Sequence, residues 1–271
     1  MKREISIATD YAADVGNPEP YLQRISEAGF AVIHWCHHWN TDFAYGESEL
    51  VWIAKWLKEY GLRLNDLHAS VGPEKNWGSP REHERLAGVE LVKNRIDMAA
   101  RLGGGAIVMH LAESAGGGDG LDLVRASLDA IEPYAKSRGV RIALENGDFD
   151  RIGKLLAEYD PGYLGLCYDS GHGNMAAGSG ARLDALKGRL VAMHLHDNDG
   201  LSDQHKIPFM GTVDWRELAR LAAGSSYGGP VTLEVSMRNC GIAREDEFLL
   251  KALEAGRSFA GMLAEASASG L

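Results

Sequence analysis

The sequence has few cysteines, no long apolar run and no basic cluster, and each absence excludes a class of protein. Cys36, Cys167 and Cys240 are odd in number, far apart and without C-x-x-C spacing, which argues against a disulfide framework or a thiolate zinc site. Cys36 and Cys167 lie within hydrophobic runs, and we expect both to be core thiols. No run of about 18 apolar residues suggests a membrane span. The start, MKREISIATDY, lacks the apolar segment of a signal peptide, so we expect a cytoplasmic protein.

Positive charge is also scarce. Among 271 residues, 38 are Asp or Glu and 28 are Lys or Arg, which gives a formal net charge of -10. A protein that grips a nucleic-acid backbone normally has a basic face. Lys and Arg are dispersed here, so a nucleic-acid partner is not expected. Arg81, Arg85 and Arg238 could each contact a phosphate, but solvation at the surface is the simpler interpretation.

Hydrophobic strand-like runs alternate with segments of helical periodicity along the whole chain. Several helical segments, such as HERLAGVELVKNRIDMAARLGG and DLVRASLDAIEPYAKSRGV, end in Gly, as helix C-termini often do. Eight strands, each followed by a helix, predict an α/β fold: one (β/α)8 TIM barrel domain over residues 1–271. The predicted strands are Glu4–Thr9, Ala31–Cys36, Arg63–His68, Ala106–Leu111, Val140–Glu145, Leu164–Asp169, Leu190–His194 and Val231–Val235.

An open doubly wound sheet is the alternative fold. That fold usually carries a Gly-rich phosphate-binding turn after an early strand. The first strand is followed by ATDYAADVGNP, which is not such a turn, and AESAGGGDGLD after the fourth strand lacks the spacing. We therefore read the second segment as a loop and expect no organic cofactor.

Four late strands end in carboxylates or imidazoles, within VRIALENGD, LGLCYDSGHGN, RLVAMHLHDND and GPVTLEVS. Active sites of TIM barrels lie at these strand ends. Burying several carboxylates there without a cation would cost several kcal/mol per charge. The predicted ligands of one divalent ion (Mn, Mg, Co or Zn) are Glu145, Asp169, His194 and Glu234.

Glu145 and Glu234 would also face each other across whatever the metal holds. Acid and base groups are placed in this way for proton transfer next to a carbonyl. We therefore predict that these two residues are catalytic.

Further polar and aromatic residues lie near the predicted strand ends. Each polar residue could bind substrate or an additional metal ion, or could be an ordinary hydrogen-bonded residue of the core or of a solvated loop. The predicted additional site residues are His68, His110, His172, His196, Asp203 and His205. The aromatic residues of the early loops could cover the barrel or form a wall against a sugar: Trp35, Trp39, Tyr45 and Trp77.

The order LEN, CYDSGH, MHLHDND and LEV resembles the xylose-isomerase-like barrel superfamily of sugar isomerases and epimerases over nearly the whole chain. Its ketose 3-epimerases hold one divalent metal through Glu, Asp, His and Glu of strands five to eight, which implies the same four residues here. The HLHDN segment matches their strand-seven pattern with His194 as ligand, followed by Asp197 and Asn198. His172 resembles their substrate-binding His. Gly200 stands where they have an Arg.

The superfamily also contains the endonuclease IV type of AP endonuclease, which binds three zinc ions. Each of its ligand positions has a counterpart in this sequence. The implied zinc ligands are His68, His110, Glu145, Asp169, His172, His194, Asp203, His205 and Glu234.

The sequence thus predicts a metal-dependent isomerase or epimerase for a sugar or sugar phosphate, acting through an enediolate. One alternative is a multinuclear zinc phosphodiesterase. Another is a keto-polyol dehydratase on the same site, and a third is a barrel that binds sugar without catalysis. We expect a small sugar or polyol as the partner, no membrane partner, and an assembly that could be a homo-oligomer.

Overall fold

A computed structural model describes residues 3–39, 44–70, 76–111 and 120–268 of the chain. Eight parallel strands close into one barrel in chain order, because β1 pairs with both β2 and β8. The predicted single-domain TIM barrel is confirmed, and closure excludes the open sheet. Across the described ranges, no helix has both the length and the apolar character needed to cross a bilayer.

The strands begin and end within two residues of the predicted bounds. Most of the functional candidates lie at or just after a C-terminal strand end, on the face where TIM barrels carry their sites. The strands are β1 Ile5–Ala8, β2 Val32–Trp35, β3 Arg63–His68, β4 Ala106–His110, β5 Arg141–Glu145, β6 Leu164–Asp169, β7 Leu190–Leu195 and β8 Val231–Leu233.

Helices surround the barrel. Two of them end at glycines in the left-handed conformation, Gly103 with φ 83° after α3 and Gly139 with φ 66° after α4, as the sequence predicts. The α-helices in the described residues are α1 Glu19–Glu27, α2 Glu47–Glu59, α3 Glu82–Leu102, α4 Asp122–Arg138, α5 Phe149–Glu158, α6 Ser170–Met175, α7 Ser179–Leu186, α8 Trp215–Ala223 and α9 Glu245–Ala268.

The barrel interior is built from small side chains that leave room for a polar mouth. Side chains along a strand alternate between the two faces of the sheet. The residues two positions beyond those of the small interior cluster also face inward, and they are His110, Glu145, Asp169 and His194. The main core fills the space between strands and helices. The interior cluster consists of Val108, Ala143, Cys167 and Ala192.

Candidate active site

Four side chains from adjacent strand ends converge at the barrel mouth. Glu145, Asp169, His194 and Glu234 each offer a ligand atom, and these atoms all lie within 4.8 Å of one another. All four side chains are buried. Strand register contributes directly, because Asp169 on β6 is the pairing partner of His194 on β7. The structure thus brings together the four residues that the sequence analysis grouped.

His194 lies between the two glutamates. Its Nδ1 atom is 3.1 Å from Oε1 of Glu145 and 2.8 Å from Oε2 of Glu234. Burial alone would lower the pKa of His194, but the surrounding Cys167, Glu234 and Glu145 raise it well above 6.5. Two carboxylates therefore share one imidazole nitrogen.

The two glutamates are held in their ionised form. Burial would raise the pKa of Glu145, yet the imidazoles of His194 and His110 hold it well below 4.5. Burial acts in the same direction on Glu234, and His194 again outweighs it, so the pKa of Glu234 also lies well below 4.5. Both side chains are consequently carboxylates at neutral pH, the form that a general base requires.

His68 and His110 form a second cluster around the other oxygen of Glu145. The Nε2 atom of each ring lies 3.2 Å from Oε2 of Glu145. The two rings stack with centroids 4.9 Å apart. His68, His110 and Glu145 thus form a set of nitrogen and oxygen donors that would suit a further divalent cation.

A third cluster surrounds Asp203 in the loop after β7. Nε2 of His205 lies 3.1 Å from Oδ2 of Asp203, and Nε2 of His172 lies 3.5 Å from the same atom. Nε2 of His196 is 3.4 Å from Oδ1 of Asp203 and 3.1 Å from Oδ1 of Asp169. Every additional site residue that the sequence analysis named therefore lies in one of these clusters.

Charge in the third cluster is shared between one carboxylate and its imidazoles. Burial would lower the pKa of His172 and of His205, but hydrogen bonding to Asp203 and the nearby carboxylates raise both to about 10. Burial alone would raise the pKa of Asp203, but the imidazoles of His172, His205 and His196 lower it below 3.8. His205 has φ 48°, an uncommon conformation for a residue with a side chain.

The donor set fits a divalent cation. Oδ2 of Asp169 is buried, and no hydrogen-bond donor reaches it within the described part of the chain. A buried carboxylate oxygen without a partner is costly, and a cation removes that cost. Three carboxylates with one imidazole suit Mn(II), Mg(II), Co(II) or Zn(II).

Asp197 and Asn198, which the sequence analysis named after His194, make hydrogen bonds that hold the loop after β7. Buried Asp197 accepts hydrogen bonds from the backbone N–H of Val213 at 3.1 Å and from the indole of Trp215 at 2.9 Å. Asn198 donates to the backbone oxygen of Gly171 at 2.9 Å. These bonds tie both ends of the loop that carries the third cluster.

A cavity of about 250 Å³ opens beside Glu234 toward β2, β3 and β4. Trp35 and Cys36 line it. Cys36 is half-buried, so the expectation that it is a core thiol is wrong. The reason is that β2 ends at Trp35 and leaves Cys36 at the mouth. Cys167 is buried, as expected. Tyr45 and Trp77 are buried in the core and do not line this cavity.

Two polar contacts at the mouth involve residues that the sequence analysis did not name, Asp66 and Asp10. Nδ1 of His34 lies 2.9 Å from Oδ1 of Asp66, and both side chains are buried inside the barrel. Asp10 follows β1 and lies beside Cys36. Burial and the charge of Glu234 raise the pKa of Asp10 to about 6. Sequence reasoning did not place Asp10 or Asp66 at the site.

Other sequence candidates lie away from the mouth or outside the described residues. Arg81 and Arg238 are largely exposed and pair with Glu84 and Asp14, which agrees with solvation at the surface. Gly200 adopts φ 78°, the left-handed conformation that favours glycine. Most of the Gly-rich segment after β4, residues 112–119, falls outside the described ranges.

Comparison with known proteins agrees with this architecture. The uncharacterized protein y4fM of Sinorhizobium fredii is 31% identical to this chain, with 80% of each protein covered. A D-tagatose 3-epimerase-like protein superposes with a TM-score of 0.81 at 19% identity, covering 97% of this chain and 98% of its own. An L-ribulose 3-epimerase gives 0.77 at 18% identity, covering 100% and 97%. At such identities the two structures establish the fold alone.

The family assignment comes from a model that spans most of the sequence. The model of the xylose isomerase-like TIM barrel matches residues 22–256. This range contains every residue of the three clusters at the mouth. The chain belongs to the xylose isomerase-like TIM barrel family, as the order of its strand-end motifs implied.

Proposed function

We propose that this protein is a divalent-metal-dependent isomerase or epimerase of a sugar or sugar phosphate. The observation that carries the proposal is the convergence of Glu145, Asp169, His194 and Glu234, in which two ionised glutamates flank one imidazole nitrogen. The similar solved structures are named as a D-tagatose 3-epimerase-like protein and an L-ribulose 3-epimerase, which supports a ketose as substrate.

The four residues would hold the metal, which when bound supplies Lewis-acid polarisation of a carbonyl and an adjacent hydroxyl. Glu234 borders the cavity of about 250 Å³ and so lies beside the space for a substrate. One of Glu145 and Glu234 takes the proton from the carbon next to the carbonyl, and the electrons of the broken C–H bond form an enediolate. The other glutamate, which is ionised at rest, takes up a proton from solvent and returns it to the opposite face, or to the neighbouring carbon in an isomerase, while the first releases its proton to solvent.

His172 contributes on the side of Asp203. Its pKa of about 10 keeps the ring protonated at neutral pH, so it can donate a hydrogen bond to an enediolate oxygen as charge develops. A dehydratase would share the first proton transfer and then expel hydroxide from the adjacent carbon. Product analysis separates the two, because only the dehydratase changes the composition of the sugar.

The test measures deuterium uptake from solvent into D-tagatose, D-fructose and L-ribulose, with Mn(II), Co(II) or Zn(II) present. We expect exchange at a carbon next to the carbonyl, lost in Glu145→Gln and in Glu234→Gln. Glu90→Gln makes the same change at an exposed position on α3, paired with Lys93, and should exchange as wild type does. Full turnover in both site variants would overturn the mechanism.

The second and third clusters favour a second candidate, a multinuclear zinc phosphodiesterase. His68 and His110 meet one oxygen of Glu145, while His172 and His205 meet one oxygen of Asp203. This arrangement would suit two further zinc ions, and bridged zinc pairs activate water against phosphoesters. The net charge of -10 opposes a DNA substrate.

Metal analysis and a cleavage assay separate the two candidates. About one divalent ion per chain would support the isomerase, whereas two or three zinc ions with chelator-sensitive cutting of an abasic duplex would support the phosphodiesterase. A barrel that only binds sugar would keep its ligand affinity after the metal is removed.

A further inference from the structure

A separate group of ligand-type side chains lies on the other side of Glu234, toward β1 and β2. Strands β8, β1 and β2 are neighbours in the closed barrel. Glu234 follows β8, Asp10 follows β1 and Cys36 follows β2, so their side chains reach one side of the mouth. Ligand atoms of His34, Cys36 and Glu234 lie within 4.8 Å of one another, and Asp10 lies beside Cys36 and Glu234.

His34 is arranged as metal-binding histidines usually are. Its ring is fully buried, and Oδ1 of Asp66 fixes Nδ1 at 2.9 Å. Its other nitrogen, Nε2, is buried and makes no hydrogen bond among the described residues. Histidines that bind metals almost always have the second ring nitrogen held by a carboxylate, a carbonyl or water. His34 therefore presents an oriented imidazole with one nitrogen left for a ligand.

The chemistry of the group favours a borderline metal. Asp10 and Glu234 are like charges near each other at a partly water-excluded mouth, which a cation would relieve. A thiolate and an imidazole select Zn(II) or Co(II), whereas Mg(II) and Mn(II) prefer oxygen ligands. We propose that His34, Cys36 and Glu234 form a sulfur-containing site for Zn(II) or Co(II), with the carboxylate of Asp10 beside it. Binding exchanges the S–H bond for a sulfur–metal bond and releases the proton to solvent.

This site does not depend on the isomerase proposal. Because Cys167 adjoins His194 of the main cluster, a metal–sulfur signal is assigned to the new site by its loss in Cys36→Ser and its retention in Cys167→Ser. Glu234 belongs to both the main cluster and this group, so it would be a ligand common to the two sites.

The first test loads the metal-free protein with Co(II) and records the near-ultraviolet spectrum. We expect a thiolate-to-cobalt charge-transfer band in wild type that is lost in Cys36→Ser. The matched controls Cys167→Ser and Cys240→Ser remove the two buried thiols and should keep the band. A wild-type spectrum without the band, or a band that survives in Cys36→Ser, would overturn the proposal.

Two further measurements guard against a Cys36 variant that fails to fold. X-ray absorption at the zinc edge of the wild-type protein should contain a Zn–S distance of about 2.3 Å, and a shell of nitrogen and oxygen alone at about 2.0–2.1 Å would refute the site. Asp66→Asn should weaken the cobalt affinity, measured from the intensity of the band, by about 10–100-fold. The reason is that the variant lacks the carboxylate that holds the His34 ring in place. An unchanged affinity would contradict the assignment of His34 as a ligand.

Discussion

A side chain at Gly171 would overlap the imidazole of His196, since a Cβ atom built at Gly171 would lie 1.9 Å from Cε1 of that ring. Gly171 lies in α6, directly after β6, and His196 follows β7. With the glycine in place, Nε2 of His196 reaches Oδ1 of Asp169 at 3.1 Å. The glycine of the DSGH segment therefore provides the space that lets β6 and β7 share one cluster.

We expect Gly171→Ala to lower the free energy of unfolding by about 1–3 kcal/mol, because the buried ring cannot move aside without disturbing its neighbours. Urea unfolding measures this. Gly153→Ala in α5 is the matched control, since the nearest atom to its Cβ would be Leu186 Cδ2 at 4.0 Å. That variant should gain about 0.5–1 kcal/mol from helix propensity. Equal effects of the two changes would contradict the spatial argument.

Asp169→Asn should abolish most of the stabilisation that a divalent ion gives. A ligand that binds only the folded state at 100 times its dissociation constant adds about 2.7 kcal/mol. The midpoint of thermal unfolding should thus rise with added Mn(II) or Zn(II) in wild type and rise far less in Asp169→Asn. Asp150→Asn changes an exposed residue paired with Arg182 and should respond as wild type does. A full metal response in Asp169→Asn would exclude Asp169 as a ligand.

The convergence of the main cluster could be predicted from sequence because two simple periodicities fix it. Parallel strands of a closed barrel end on one face, and alternation along each strand aims Glu145, Asp169 and His194 inward together with the small residues before them. Each of these residues closes a hydrophobic run, so the sequence marks both the strand and its end.

The pair of His34 and Asp66 could not be predicted in the same way. The pairing between β2 and β3 shifts by one residue between Ile33 and His34, and only this shift sets His34 opposite Asp66. Irregular register depends on packing around the whole barrel rather than on any local pattern. Cys36 was misjudged for a related reason, since the hydrophobic run continues one residue past the strand.

Asp197→Asn should lower the free energy of unfolding by about 1–3 kcal/mol, because an amide nitrogen would replace one oxygen of a buried carboxylate that accepts several N–H donors. The indole of Trp215 donates to that carboxylate at 2.9 Å, which ties the loop after β7 to α8. Limited proteolysis should cut the loop faster in the variant. Asp122→Asn, at a side chain that is 99% exposed, is the control and should change stability by less than about 0.5 kcal/mol. An unchanged rate of proteolysis in Asp197→Asn would show that this hydrogen bond does not hold the loop.

The third cluster should make the stability of the metal-free protein depend on pH. The pKa values of His172 and His205 are raised from 6.5 to about 10, so their stabilisation is complete below pH 6.5 and is lost as the pH rises through about 10. The pKa of Asp203 is lowered from 3.8, so its stabilisation is present above pH 3.8 and is lost as the pH falls through the lowered value. The cluster therefore stabilises the fold most between pH 3.8 and 6.5.

Asp203→Asn removes the carboxylate that both imidazoles share. We expect the free energy of unfolding, measured in urea with chelator present, to be higher for wild type than for this variant. The difference should be largest between pH 3.8 and 6.5 and should shrink as the pH rises toward 10. Solvent screens the ion pairs because Asp203 is 40% exposed, which keeps the difference modest. Asp150→Asn removes an exposed carboxylate that pairs with Arg182, and its stability should differ from that of wild type by a constant amount. A constant difference for Asp203→Asn as well would show that the raised imidazole pKa values do not depend on Asp203.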